Sequence, residues 1–196
     1  MSVFFGQPAA SDLLVSADDF TSWFDLGVTA TLDASAQARI QIALAVASAA
    51  VRTKTQQQLS VVAETVTLSA TGNQVLALPQ FPVSAVSSVT RDGATLAPTA
   101  YQWASPVGII TTLDGSRWLT PQVITVTYTH GWDPLPADIA GVVLARAKRW
   151  YDNPAGQPVQ SETLGSWAVT YAAAAGEFTN EELDILTRYS LWTVVS

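Results

Sequence analysis

Cysteine is absent from the 196 residues, and its absence excludes disulfides, thiolate chemistry and cysteine-ligated zinc. Charge is scarce as well. Asp, Glu, Lys and Arg supply 13% of the chain, against about 25% in an ordinary soluble domain. Basic residues are the rarer sign, nine against sixteen acidic, for a net charge of −7. Without a dense Lys/Arg run, tight non-specific grip on nucleic acid is not expected. Neither GxxxxGK[ST] nor GxGxxG occurs, so no glycine loop cradles a phosphate. Consecutive apolar residues never reach the ~18 that a membrane span needs. The amino-terminal MSVFFGQPAA also lacks the basic start and long apolar run of a signal peptide. The expectation is a soluble intracellular protein that touches no membrane and needs no cofactor or metal.

What the chain does have is apolar surface. Hydrophobic residues make up 48% and include seven Trp. So few charges must leave uncharged polar and apolar surface in water, and such surface usually belongs to an interface, where Trp is enriched. A Trp-rich core is the competing use of the same residues.

The chain is organised around residues 122–153, QVITVTYTHGWDPLPADIAGVVLARAKRWYDN. Val123, Thr125, Thr127 and Thr129 alternate with Ile124, Val126, Tyr128 and His130, a strand rich in β-branched residues. Gly131 and Asp133-Pro134-Leu135-Pro136 end it. A helix then starts, with Pro136 suited to its first turn and Asp138 at the positive end of its dipole. Ile139, Val142, Val143, Ala147 and Trp150 form its apolar stripe, and Asn153-Pro154 closes it.

Before this stretch, residues 1–15 read as an arm. Ser16 caps a short helix, with Asp19 answering and Val15 stapled to Phe20. Asp18, Asp19 and Asp25 lack calcium-loop spacing and read as capping residues. Asp33 opens the longest helix, to about residue 57. Ile40, Leu44, Ala47 and Val51 make one stripe on it, and Ile42, Val46, Ala49 and Ala50 a second, so it should be buried on more than one side. From 59 to 131 the period is two. Arg91-Asp92-Gly93-Ala94 is a strong hairpin signal, and the segment reads as one antiparallel sheet inserted between helices.

After the organising helix, the uncharged loop 153–160 leads to LGSWAVTY, an extended arm. Thr179 and Glu182 form the best capping signal in the chain, with Phe178 stapled onto Leu183. Leu183, Leu186, Tyr189 and Ser190 set that helix's buried face, and a short apolar tail follows. The fold class is therefore α+β. A small helical bundle, with helices near 16–26, 33–57, 136–152 and 179–192, carries an inserted antiparallel β subdomain at about 59–131. The whole is expected to form a single domain: arm 1–15, helical 16–58, β insertion 59–131, helix 132–152, loop and strand arm 153–178, and terminal helix and tail 179–196.

Chemistry is hard to find. His130, the one histidine, sits at a strand end near Asp133 with no serine in a nucleophile-elbow context, and reads as structural, bonding the turn backbone. Glu181, Glu182 and Asp184 suit the first turn of a helix. Glu64, Asp92 and Asp114 have no second acid at a catalytic spacing. Arg146, Lys148 and Arg149 could touch phosphate, but a helix dipole favours bases in its last turn anyway. No catalytic residue is expected, and the chain does not read as an enzyme.

The pattern resembles a family, the head–tail adaptor (connector) proteins of long-tailed bacteriophages. The likeness is carried by the Ala/Val-rich helix 40–58 and by Val86-Ser87-Ser88-Val89-Thr90-Arg91-Asp92-Gly93 with Tyr101 and Gly108. It continues in Val126-Thr127-Tyr128-Thr129-His130-Gly131 with Pro136-Ala137-Asp138-Ile139, and in Leu164-Gly165-Ser166, so that it spans about 33–192. It implies a structural virion protein at the head–tail junction, assembled in the host cytoplasm. The implied assembly is a homo-oligomeric ring, a dodecamer by the resemblance. The ring would dock under the portal, extend the DNA channel and meet the stopper or tail-completion protein. Double-stranded DNA would pass through without sequence-specific contact, and the acidic balance fits, because a negative lumen repels phosphates. Contacts between proteins are expected from Trp167, Val169, Tyr171, Tyr189, Leu191, Trp192, Val194 and Val195. Two other readings remain: another virion subunit such as a stopper or tail-completion protein, and a β-rich carbohydrate- or ligand-binding module using Trp103, Trp118 and Trp132.

Overall fold

The computed structural model describes residues 13–27, 31–70, 72–113, 115–153, 161–164, 167–170 and 177–190. In chain order the elements begin with α1 (Ala17–Trp23), α2 (Ala34–Thr55), β1 (Val62–Ser69), β2 (Val75–Ala77), β3 (Val83–Arg91) and β4 (Ala94–Thr95). They continue with β5 (Tyr101–Ala104), β6 (Ile109–Thr112), β7 (Val123–His130), α3 (Ala137–Asp152), β8 (Ser161–Leu164), β9 (Trp167–Thr170) and α4 (Asn180–Arg188). The chain divides into two compact units, Met1–Gln56 with Leu135–Ser196, and Gln57–Pro134. The first holds the four helices and the β8–β9 hairpin and the second is built of antiparallel sheets, so the fold is α+β as expected.

In the helical unit local sequence sets the helix starts. Ser16 Oγ accepts from Asp19 N at 3.0 Å and donates to Asp19 Oδ2 at 2.6 Å. Asp33 Oδ1 accepts from the Ser35 hydroxyl at 2.7 Å and from Ser35 N and Ala36 N, both at 2.8 Å, and these bonds, led by the one from the hydroxyl, hold its carboxyl below the usual carboxylate range. Pro136 is the N-cap of α3, so the helix starts one residue later than expected, and it makes no side-chain cap bond. Thr179 and Glu182 close the expected capping box on α4, with Thr179 N donating to Glu182 Oε2 at 2.8 Å.

The helix α2 packs chiefly against α3, with α1 and α4 alongside. Its Ile40, Leu44, Ala47 and Val51 are buried, as are Ile139, Val142, Val143 and Ala147 of α3. Phe20 is fully buried, its ring 5.0 Å from Phe24 and 5.8 Å edge-on to Tyr151. The 22-residue α2 is long and apolar enough to cross a bilayer, although Arg39 interrupts any unbroken apolar run. One long face of it is buried against other helices, which marks it as the core helix of this unit.

Glu182 joins α4 to α3 as well as capping it. Arg149 donates to both of its carboxylate oxygens, at 2.9 and 2.8 Å. Replacing Glu182 with Ala removes the reciprocal cap and the bidentate ion pair together, and about 2–3 kcal/mol of stability should go with them. Glu182→Gln, which keeps the cap, should lose less. Denaturant midpoints of the two variants check the order.

The β unit holds two sheets where one was expected. A four-stranded sheet has the order β1-β7-β3-β4, and a three-stranded sheet has the order β2-β6-β5. Sequence alternation gives the strands but not their partners. The organising strand β7 lies between β1, in unbroken register from Val62↔His130 to Ser69↔Val123, and β3, whose register shifts twice. Leu76, Val83, Val89, Ile110, Trp118, Ile124, Val126 and Tyr128 form the core. The expected hairpin joins β3 to β4, with Asp92 at φ 49° and Gly93 at φ 83° supplying its two left-handed residues. Gly131 ends β7 at φ 108°, and a Cβ there would collide with the Ser60 carbonyl, so only glycine fits this close approach.

Candidate assembly surfaces

The two stripes of α2 have different fates. While Ile40, Leu44, Ala47 and Val51 are buried, Ile42 is 48% exposed, Ala38, Ala49 and Thr53 are exposed, and Ala45 and Val46 are half-buried. Positions 38, 42, 45, 46, 49 and 53 recur at helical spacing, so they form one continuous uncharged stripe facing outward. Alanines at three of them would let a second backbone approach closely. Other exposed apolar residues include Val107, Leu119 and the neighbouring pair Val61 and Val62, and scattered exposed apolar side chains are ordinary. The stripe on α2 is not.

The aromatic residues sort differently from expectation. Trp118 is fully buried and Trp103 packs against the same core, so neither offers an open platform for a sugar. Trp132 is half-buried. Trp23, at the end of α1, is 70% exposed.

The base cluster on α3 is occupied. Lys148 Nζ holds Asp152 at 2.6 and 2.7 Å, Arg149 holds Glu182, and the Arg146 guanidinium lies 4.1 Å over the ring of Phe178. Burial, then the neighbouring Arg149 charge, lowers the Arg146 pKa from its usual range. Phe178, expected to staple onto Leu183, thus serves as a cation–π partner. These contacts leave the cluster poorly placed to grip phosphate.

Among the expected contact residues, Tyr189 is half-buried, and its hydroxyl donates to Asp138 at 2.9 and 3.0 Å within the helical unit. Burial and the Asp138 charge raise its pKa. Trp167 and Val169 lie on β9, paired to β8 with Leu164↔Trp167 and Glu162↔Val169. Tyr171, Leu191, Trp192, Val194 and Val195 lie outside the described residues, as do the arm before residue 13 and most of the loop 153–160.

His130 does not bond the turn backbone as expected. It is fully buried, its ring 5.1 Å from that of Tyr128, and its Nε2 lies 3.3 Å from Glu64 Oε1, off the line of a hydrogen bond. The Tyr128 hydroxyl donates a short bond to the same carboxylate oxygen. Burial pushes the His130 pKa down, and Glu64 only partly restores it. An unfolded chain therefore takes up this proton first as pH falls. Stability should decline as pH drops through the usual histidine value of 6.5, by at most about 1.4 kcal/mol per unit. Thermal melts at pH 7.5 and 5.5 check this. His130→Gln should narrow the difference between the two, and Glu64→Gln should widen it.

Among the described residues, no three His, Asp or Glu side chains come together to hold a metal ion. What the molecule presents is surface, and its fold has counterparts. The family model described as head completion protein matches residues 13–189. The chain belongs to that family, which bears out the resemblance read in its sequence and extends it to include α1.

Solved structures agree on the fold. One chain in the neck of an empty gene transfer agent particle, computed with C6 symmetry, is 19% identical at a TM-score of 0.63, covering 96% of this chain and 95% of that one. A second, in the virion of the native particle, is 20% identical at 0.62, with 96% and 95% covered. A third, in the native neck computed with C12 symmetry, is 18% identical at 0.55, with 92% of each covered. No curated protein matches the chain closely enough to count as a relative.

Proposed function

We propose that this chain is a head-to-tail adaptor, a structural subunit at the head–tail junction of a virion. Copies of it form a ring that docks under the portal, extends the DNA channel and receives the stopper or tail-completion protein. The observation that carries this reading is the outward apolar stripe of α2, which a lone subunit leaves wet and a ring neighbour would cover. Membership of the head completion protein family supports it. The C6 and C12 symmetries of the similar necks are both compatible with a ring of twelve. The chain works by contact and not by catalysis, and DNA passes an acidic lumen without being gripped.

A stopper role is the weaker choice, because nothing in that role calls for a 22-residue helix with a second apolar face. The strand arm with Trp167, Val169 and Tyr171, together with Tyr189 and the tail residues Leu191, Trp192, Val194 and Val195, makes contacts to neighbouring proteins. Removing residues 191–196 should weaken portal docking and leave the thermal melt unchanged. Unaltered co-assembly would reject the tail's part. The test of the whole reading is electron microscopy of the purified protein mixed with its portal. Rings stacked on the portal are expected, and a subunit that never joins it would overturn the assignment.

A further inference from the structure

We infer that successive copies in the ring are joined by strand addition, the β8–β9 hairpin of one copy pairing with the open edge of β1 on the next. This rests on the ring reading above and names the surfaces that close it. The four-stranded sheet ends in β4 on one side, and β4 has only two residues, Ala94–Thr95. The other edge is β1, with eight residues and no described strand on its outer side. Sheets protect exposed edges with lysine, proline, bulges or short strands. Strand β1 has none of these, and its register against β7 is unbroken.

The single charge on β1, Glu64, is engaged by Tyr128 and His130. Ala63, Thr65, Thr67 and Ser69 are exposed and uncharged. Thr65 and Thr67 are tied sideways to Thr127 and Thr125 by hydroxyl contacts of 2.9 and 3.5 Å. An edge so ordered and so little charged is built to accept a strand.

The donor is suggested by the opposite deficiency. Strands β8 and β9 pair only with each other among the described residues, and a lone two-stranded hairpin is marginal in water. Its sequence, SETL and WAVT, brings one acid and no base to a partner. Each chain thus has a long, unbroken edge lacking a strand in β1 and, among the described residues, a hairpin lacking a sheet. A donor and an acceptor on different surfaces give a head-to-tail contact, which closes a ring upon rotation. Two β1 edges pairing with each other would stop at a dimer.

Because the chain has no cysteine, introduced thiols are unique. Full-length protein carrying Thr67→Cys with either Ala168→Cys or Val169→Cys is assembled on portal rings and treated with a short bis-maleimide. A ladder of covalent multimers is expected from at least one of the pairs. Several results would overturn the inference: monomer from both pairs, a doubly linked monomer, or a dimer from Thr67→Cys alone. Rings seen by microscopy without a ladder sink the strand addition and leave the adaptor reading standing, whereas absence of rings sinks both. Independently, Thr65→Lys with Thr67→Lys should abolish rings while lowering the thermal melt only by the loss of the two threonine contacts, and persistent rings count against the β1 edge.

Discussion

If copies of the chain close a ring over the outward face of α2, replacing Ile42 with Glu together with Ala49 with Glu should leave the subunit folded and abolish the ring. Both side chains are exposed on α2, Ile42 at 48%, so in the isolated chain each carboxylate stays in water. Surface substitutions of this kind usually shift stability by no more than about 0.5 kcal/mol. Inside a covered interface the same carboxylates lose water. An uncompensated buried charge costs about 3–5 kcal/mol, and a ring repeats that cost at every contact. Circular dichroism melts should superimpose on those of the parent, while light scattering and microscopy with portal should show no ring. Ala47→Glu, on the buried stripe of the same helix, is the contrasting variant and should unfold the protein. If Ile42→Glu with Ala49→Glu still builds rings, the outward stripe is ordinary surface and the carrying observation falls.

Much of this was legible in the sequence, and what was legible is local. Ser16, Asp33 and the Thr179–Glu182 box announce helix starts because each cap bonds within three residues of itself. Asp92-Gly93 announces a hairpin for the same reason. Both stripes of α2 could also be read, since helical spacing fixes which residues share a face. Which stripe the chain buries depends on α3, far along the sequence, and spacing cannot decide it. The division into two sheets has the same origin: β7 takes β1 and β3 as partners, and alternation names no partner. His130 was read against its own turn, whereas its neighbour is Glu64 on β1. Trp118 lies in a segment without regular structure, so no periodicity marks it as core and its sequence context does not separate it from an exposed tryptophan. The family, by contrast, was visible because its signature is the order of such local pieces along the chain.

Trp118 carries a large expected loss of stability in the β unit. It is fully buried, and its backbone and side chain both tie down the segment around it. Gly72 N donates to its carbonyl at 2.7 Å, its own N donates to Asn73 O at 2.8 Å, and its Nε1 donates to Gln74 O at 3.0 Å. The Arg91 guanidinium lies 5.0 Å from its ring. Trp118→Ala opens a cavity in the core shared by both sheets, and such truncations cost about 3–5 kcal/mol. Domains are stable by only about 5–15 kcal/mol, so a large share of the β unit's stability is at stake. The melting temperature should fall by more than about 10 °C. Trp118→Phe fills most of the space and forfeits chiefly the indole bond, for a smaller fall worth about 1–2 kcal/mol. Urea midpoints followed by far-UV signal separate the two variants. Because the backbone bonds through Gly72 and Asn73 survive in both, their difference isolates core filling from segment anchoring. An alanine variant within a degree or two of the parent would mean that this tryptophan does not hold the sheets together, and its place would have to be sought at a surface after all.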